Sequence, residues 1–275
     1  MVSEAVALQR VDAEACIAFR RRGARTVLAD LHACGGARLV LPRGSPDGWT
    51  EAVLVNTAGG LTGGDRLRLA ATLQDGAAAR LVTQAAEKIY RSIRGPVVLR
   101  NSLSLGPGCH AEWLPQETIL FDGAALDRRL DVDLAPDSRL LAVEATILGR
   151  TARGERVAYG SLRDSWRVRR ADRLLFADSI RLEGEVARHA AGPATLHGAC
   201  AFATILHVAP DAAARLDPVR RALADVGEIE AGASLVSGLL VARVVASDGL
   251  ALRRALVPAL ARLRDERPAS RLWTC

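Results

Sequence analysis

Between Leu54 and Leu67 the chain reads Leu-Val-Asn-Thr-Ala-Gly-Gly-Leu-Thr-Gly-Gly-Asp-Arg-Leu, which places Gly59, Gly60, Gly63 and Gly64 within six positions. Glycine reaches positive φ at little steric cost, so two Gly-Gly steps this close require a tight, backbone-exposed turn. A short apolar run precedes the segment and the alternation Arg66-Leu67-Arg68-Leu69 follows it, so the turn joins two strands. A phosphate-binding loop needs Lys and Ser/Thr after its last glycine, to reach phosphates and magnesium. Here Asp65 follows Gly64, and its carboxylate repels a phosphate. The single alternating glycines of a dinucleotide site are absent too.

The spacing of the remaining signals predicts a β body. Arg66 to Leu73, Asp131 to Leu134, Arg139 to Ala145, Trp166 to Arg169 and Arg173 to Leu182 are short, alternating or apolar runs. Turn signals separate them, at Asp75-Gly76, Gly95-Pro96, Gly106-Pro107-Gly108, Pro136-Asp137 and Glu183-Gly184. The Asp-Gly context returns at Asp122-Gly123, without the strict period that would mark a solenoid repeat. No long amphipathic helix lies between these runs, which excludes a doubly wound α/β fold. The expected fold is all-β dominated, as stacked sheets or a coil-like arrangement, with the strand-rich body over about 14–210. Two α-helices are expected toward the C-terminal part, about 217–226 and 249–264. Asp217 would cap the first with Pro218 at its opening position, and Pro258 should kink or split the second.

At 275 residues and 49% apolar the chain can bury a large core. It has no uncharged apolar run of about 18 residues, so no membrane span is expected. Met1 to Gln9 lack the layout of a signal peptide, and a cytoplasmic location is the default expectation. The net charge of +6 comes from arginine, Lys88 being the only lysine, but with 4% aromatics the chain has little for stacking on bases. Nucleic-acid binding is therefore not expected. Cys16, Cys34, Cys109, Cys200 and Cys275 are scattered and odd in number, and form neither a disulfide framework nor a metal knuckle. Cys109-His110 and His197-x-x-Cys200 with His207 are the local metal hints. In a strand Cys109 and His110 point to opposite faces and chelate poorly.

Three segments pack charge and hydroxyl groups beside apolar residues. These are Thr83 to Ser92, Glu112 to Gly123 and Leu148 to Glu155. Glu112, Glu117 and Asp122 raise the alternative of a carboxylate-dependent hydrolase, although no activated nucleophile or Ser-His-Asp spacing accompanies them. Carboxylates paired with arginine also suit a protein that handles a divalent cation transiently, because oxygen ligands exchange metals readily.

The segments together resemble the urease accessory protein family UreD, called UreH in some organisms. Asn56 to Leu67 is similar to its glycine-rich signature. Gln84, Lys88, Tyr90, Arg91 and Ser92 match its threonine-glutamine to tyrosine-arginine-serine block. Pro115, Gln116 and Gly123 lie in the most specific block, Glu112 to Ala124. Gly149-Arg150 and Gly154-Glu155 match the fourth, and Arg271-Leu272-Trp273 is in keeping with the family's C-terminus. The chain departs at Glu87, where the family often has a small or hydroxyl residue, and over Leu41–Trp49, where relatives carry a longer loop.

The resemblance implies one UreD-like domain over 1–275, a β-rich, helix-like stack of strands and a non-enzymatic scaffold. The implied partners are a UreF-like accessory protein, a UreG-like GTPase and urease apoprotein. It implies no tightly bound cofactor: nickel passes transiently, and GTP and magnesium enter only through the GTPase. Asp65, Glu112, Glu117, Asp122, Glu144 and Glu155 are then the expected residues of a nickel passage, with Arg66 and Arg150 as counter-charges.

Overall fold

The computed structural model describes residues 9–42, 49–150, 153–264 and 267–274. Most of the Leu41–Trp49 segment, Thr151-Ala152 and Cys275 thus lie outside the described residues. In chain order the strands are β1 (Asp12–Arg22), β2 (Arg25–Cys34), β3 (Ala37–Val40), β4 (Thr50–Asn56), β5 (Arg66–Gln74) and β6 (Ala78–Thr83). Then follow β7 (Glu87–Ile89), β8 (Val97–Leu105), β9 (His110–Trp113), β10 (Thr118–Leu120), β11 (Ala125–Leu134) and β12 (Arg139–Leu148). The last third holds β13 (Gly160–Arg170), β14 (Arg173–Gly184), α1 (Val186–Ala190), β15 (Ala201–Val208), α2 (Ala212–Ala224), β16 (Ile229–Val236), β17 (Leu239–Ala246), α3 (Gly249–Leu263) and α4 (Arg271–Thr274).

From β4 to β13 the chain winds as a β-solenoid. It alternates between an outer sheet, ordered β14-β13-β11-β8-β5-β1-β2, and an inner sheet, ordered β16-β17-β15-β12-β9-β6-β4-β3. Successive coils pair in parallel: Arg66 with Val98, Val98 with Asp127, and Ala125 with Ser161 in the outer sheet. Antiparallel strands finish the stack, β2 and β3 at one end and β14 with β15, β17 and β16 at the other.

Burial explains the two kinds of strand. One core fills the space between the sheets, with Phe19, Leu69, Leu103, Trp113, Leu130 and Trp166. A second lies between the inner sheet and helices α2 and α3, with Val143, Ile205, Leu240, Leu252, Leu256 and Leu260. Outer-sheet strands meet one core and solvent, so β5 and β11 alternate residue by residue. The middle strands of the inner sheet, β12 and β15, are covered on both faces, and β15 is buried at every position.

The turns stack as well. The Gly76 amide donates to the Pro107 carbonyl at 3.1 Å, and the Gly108 amide to Oδ1 of Asp137 at 2.9 Å. Three turns that share no strict sequence period thus form one corner of the coil, because backbone and Asx bonds tolerate varied side chains.

The glycine segment joins two strands, β4 of the inner sheet and β5 of the outer, so it carries the chain across the stack. Two expectations need correction. Strands continue past residue 210, where β16 and β17 extend the inner sheet under α2 and α3. Helix α2 begins at Ala212, with Pro218 inside it, and α3 runs through Pro258 without a break. A proline inside a helix costs about 3 kcal/mol. Burial of Ala251, Leu252, Ala255, Leu256, Ala259, Leu260 and Leu263 along one face of α3 outweighs it. Asp248 caps α3, accepting the Ala251 amide at 2.8 Å.

Candidate functional site

The four sequence blocks converge on the corner of the solenoid opposite the turns. Leu61 forms a parallel bridge with Ile89, donating its amide to the Lys88 carbonyl and accepting that of Tyr90. Below it β7 pairs with β10, and β10 with the end of β12, where the Gly149 amide reaches the Leu120 carbonyl at 2.7 Å. Ser92 donates its amide to the Gly123 carbonyl, and Thr62 its hydroxyl to the Arg91 carbonyl.

Glycine is required where these layers touch. At Gly60, with φ near +146°, a Cβ would lie 2.4 Å from the Tyr90 ring. At Gly63 it would lie 2.6 Å from the Gly95 carbonyl oxygen. Gly59, Gly64, Gly123, Gly149 and Gly154 hold positive φ.

An open recess of about 540 Å³ lies on this corner, lined by Tyr90, Arg91, Phe121, Asp122, Glu155 and Arg156 among others. Tyr90 meets Phe121 edge-on at 4.9 Å, and the Arg150 guanidinium sits 4.4 Å above the Phe121 ring. Arg150 also donates to Glu155 at 2.6 Å, which holds that carboxyl below its usual range. Asp122 accepts the Tyr159 and Ala158 amides on one oxygen and Arg91 on the other, and is lowered by the Tyr159 amide first. Asp122 and Glu155 therefore stand as carboxylates in one recess.

Glu144 lies inside, between the sheets. The indoles of Trp113 and Trp166 donate to its two oxygens at 3.2 and 3.0 Å, and Arg128 reaches it at 3.2 Å. Arg128 is shared with Asp164 at 2.6 Å, Thr118 at 3.0 Å and Thr146 at 3.2 Å. Burial raises the carboxyl of Glu144 against the pull of Arg128. A void of about 10 Å³, lined by Glu144, Asp164 and Asp178, adjoins it. Strand β12 runs from this group to the corner at Gly149.

Glu112 and Glu117 face the helices. Glu112 accepts Arg80 at 2.6 Å, Arg264 at 3.0 Å and Arg267 at 3.2 Å, and Arg80 also pairs with Glu51 at 3.3 Å. Arg253 donates to Gln116 and Glu117, at 2.8 and 3.0 Å, while Gln116 donates to the Leu272 carbonyl at 3.0 Å. Trp273 completes this clasp by donating to the Leu114 carbonyl at 2.9 Å. Pro115 is buried beside it.

The six expected acids thus do not share one cavity. Asp122 and Glu155 meet in the recess, Glu144 is interior, and Glu112 and Glu117 belong to the clasp. Asp65 closes the glycine segment, accepting the Val11 and Thr62 amides at 2.9 and 2.7 Å. Of the two expected counter-charges, Arg150 pairs with Glu155, whereas Arg66 is exposed and in no ion pair among the described residues. Glu87, the departure, accepts both contacts of the Asn56 amide, at 3.0 and 3.1 Å, and burial raises it to about 7. Gln84 donates its backbone N–H to the Leu54 carbonyl, and Lys88 is exposed.

Sequence reasoning missed Arg80, Arg128, Asp164, Arg253 and Arg264. Two carried a readable signal: in Leu126-Arg128-Leu130-Val132 and Leu162-Asp164-Trp166-Val168 the charged residue shares the inward parity of its apolar neighbours. The metal hints do not assemble. Cys109 is buried in the core between the sheets, His197 pairs with Glu230 at 3.0 Å, and the Cys200 thiol donates to the Ser247 carbonyl. Among the described residues no group of three or more His, Cys, Asp or Glu is placed to hold a metal ion. No helix among them is long and apolar enough to cross a membrane.

Residues 11–274 match the family model described as UreD urease accessory protein. A protein of Methylobacterium sp. (strain 4-46) named urease accessory protein UreD is 49% identical over 256 residues, 91% of this chain and 90% of its own length. Proteins of the same name from Sinorhizobium medicae (strain WSM419) and Rhizobium leguminosarum bv. viciae are 43% and 44% identical. They cover 98% and 96% of this chain, and the same shares of their own lengths.

Proposed function

The chain belongs to the UreD family of urease accessory proteins, and from that premise we propose that it brings a UreF-like protein, a UreG-like GTPase and urease apoprotein together for nickel delivery. Family membership makes it a non-enzymatic accessory protein of urease maturation. It lends no support to the hydrolase alternative, and Glu112, Glu117 and Asp122 face three different sets of partners. In this reading 1–275 acts as one UreD-like domain in the cytoplasm, nickel is cargo, and GTP and magnesium are handled by the GTPase.

The observation that carries the reading is the stacking of the four motif blocks at one corner, where Asp122 and Glu155 stand in an open recess. From there β12 leads to Glu144 between the sheets. We place the outer end of a nickel passage at Asp122 and Glu155 and an inner station at Glu144. Asp65, Glu112 and Glu117 hold the backbone and the helices around it.

The test is the nickel content of urease at equal yield of the accessory complex. Asp122→Ala, Glu155→Ala and Glu144→Gln should lower nickel content with assembly intact. Asp65→Ala, Glu112→Ala and Glu117→Ala should lower complex yield and nickel together. Normal nickel loading in the first three variants, at normal yield, would sink the passage.

A further inference from the structure

A second cavity, of about 260 Å³, opens on the helix-facing side of the inner sheet, away from the motif corner. Strand register builds its floor: His110 pairs with Arg139 across β9 and β12, and Leu141 lies between Glu112 and His207. The Trp49 ring stands 6.1 Å from that of His110, and the Arg267 guanidinium covers Trp49 at 4.1 Å. Arg139, Arg267, His110 and His207 therefore face one space.

Among the described residues its two lining carboxylates are already matched. Glu112 accepts three guanidiniums, from Arg80, Arg264 and Arg267. Asp211 takes Arg215 at 2.7 Å, with His207 at 3.6 Å. Arg139, by contrast, is exposed and makes no ion pair among the described residues. Positive charge is thus in excess at the cavity, and it is felt: burial first, then Arg139 and Arg267, hold His110 below the usual imidazole range. A divalent cation would meet two guanidiniums that cannot deprotonate, whereas an oxyanion would find the guanidinium fork of Arg139 on one side, the remaining Nη1 of Arg267 on the other, whose Nε and Nη2 go to the Arg264 carbonyl and Glu112, and imidazole N–H groups between them.

We propose that the cavity lined by Trp49, His110, Arg139, His207 and Arg267 is a binding site for a small oxyanion of the phosphate type. The site is independent of the nickel reading, since it needs neither the recess nor Glu144.

Calorimetric titration of the full-length chain, or of its co-purified accessory complex, with inorganic phosphate at constant ionic strength tests it. Saturable binding is expected, weakened about tenfold by Arg139→Gln, which removes one charge-assisted donor pair. Because Arg139 is exposed, that variant should keep the wild-type unfolding midpoint, and Arg163→Gln, on the outer sheet, should bind phosphate normally. Phosphate should also move the imidazole resonances of His110 and His207 saturably, and chloride should not. Absent saturation, equal affinity in Arg139→Gln, or equal weakening in Arg163→Gln would overturn the proposal. So would nickel(II) titration that perturbs both imidazoles while phosphate leaves them unchanged.

Discussion

The guanidinium of Arg264, at the end of helix α3, donates to Oε1 of Glu112 in strand β9 at 3.0 Å, and both side chains are 2% exposed. This contact joins the most specific sequence block to the C-terminal helices. It also fixes the geometry of the clasp that Gln116, Glu117, Arg253 and Trp273 continue.

Removing that carboxylate leaves Arg264 charged and buried with no carboxylate partner among the described residues, and takes from Arg80 the closer of its two acids, Glu112 rather than Glu51. Breaking a buried pair from one side costs about 3–5 kcal/mol, so Glu112→Ala should unfold at markedly lower urea than wild type. Arg66→Ala, at an exposed position with no ion pair among the described residues, should shift the midpoint little. Equal midpoints for Glu112→Ala and wild type would show that the cluster holds nothing together.

Trp273 is 3% exposed, donates to Leu114, and lies under the Arg253 guanidinium at 5.1 Å. Trp273→Ala should cost about 3–5 kcal/mol, as for other buried aromatics. Limited proteolysis should then cut first beside α4, before the solenoid is nicked. Protection at α4 unchanged from wild type would contradict this.

Glu87 gives a pH dependence with a definite sign. Its carboxyl is raised from 4.5 to about 7, chiefly by burial. Between these values the folded protein retains a proton that the unfolded chain has lost, so stability falls as pH rises from 4.5 to 7 and is flat above. The shift corresponds to roughly 3 kcal/mol at full effect. Glu87→Gln should flatten that slope and unfold later than wild type at pH 8. Parallel pH profiles for the two proteins would rule the assignment out.

Gly60→Ala places a methyl group against the Tyr90 ring, and Gly63→Ala places one against the Gly95 carbonyl. The first also strains a backbone at φ near +146°. Each should cost about 1–3 kcal/mol. Gly232→Ala, in β16 with open space around it, should not. Thermal midpoints of the three variants measure the difference.

Much of this was legible in the chain. Alternation gave the outer strands because one face of that sheet meets water: Arg66-Leu67-Arg68-Leu69 reads directly as exposed, buried, half-buried, buried. The Cys109-His110 step behaved as strand geometry requires, thiol to the core and imidazole to the other face. Helix α3 was readable from Asp248-Gly249 and its leucines. Less visible was the start of α2, because Asp217-Pro218 makes a good cap signal that buried Ala212, Val219 and Leu223 override. The final strands escaped because β17, covered on both faces, lacks alternation over Leu239–Ala242.

What the sequence by itself determined was local and periodic: which residues turn, which alternate, which blocks carry the family's signature. Only the tertiary structure decided which of them meet. The glycine segment, Tyr90, Phe121 and Arg150 share a corner because parallel coils return the chain to the same edge once per turn. Asp122 and Glu155 share a recess for that reason, while Glu112 and Glu117, a few residues from Asp122 in sequence, are drawn to the helices instead. Strand parity and coil closure send neighbouring carboxylates to different faces of one sheet, and those long-range constraints leave no mark in sequence spacing.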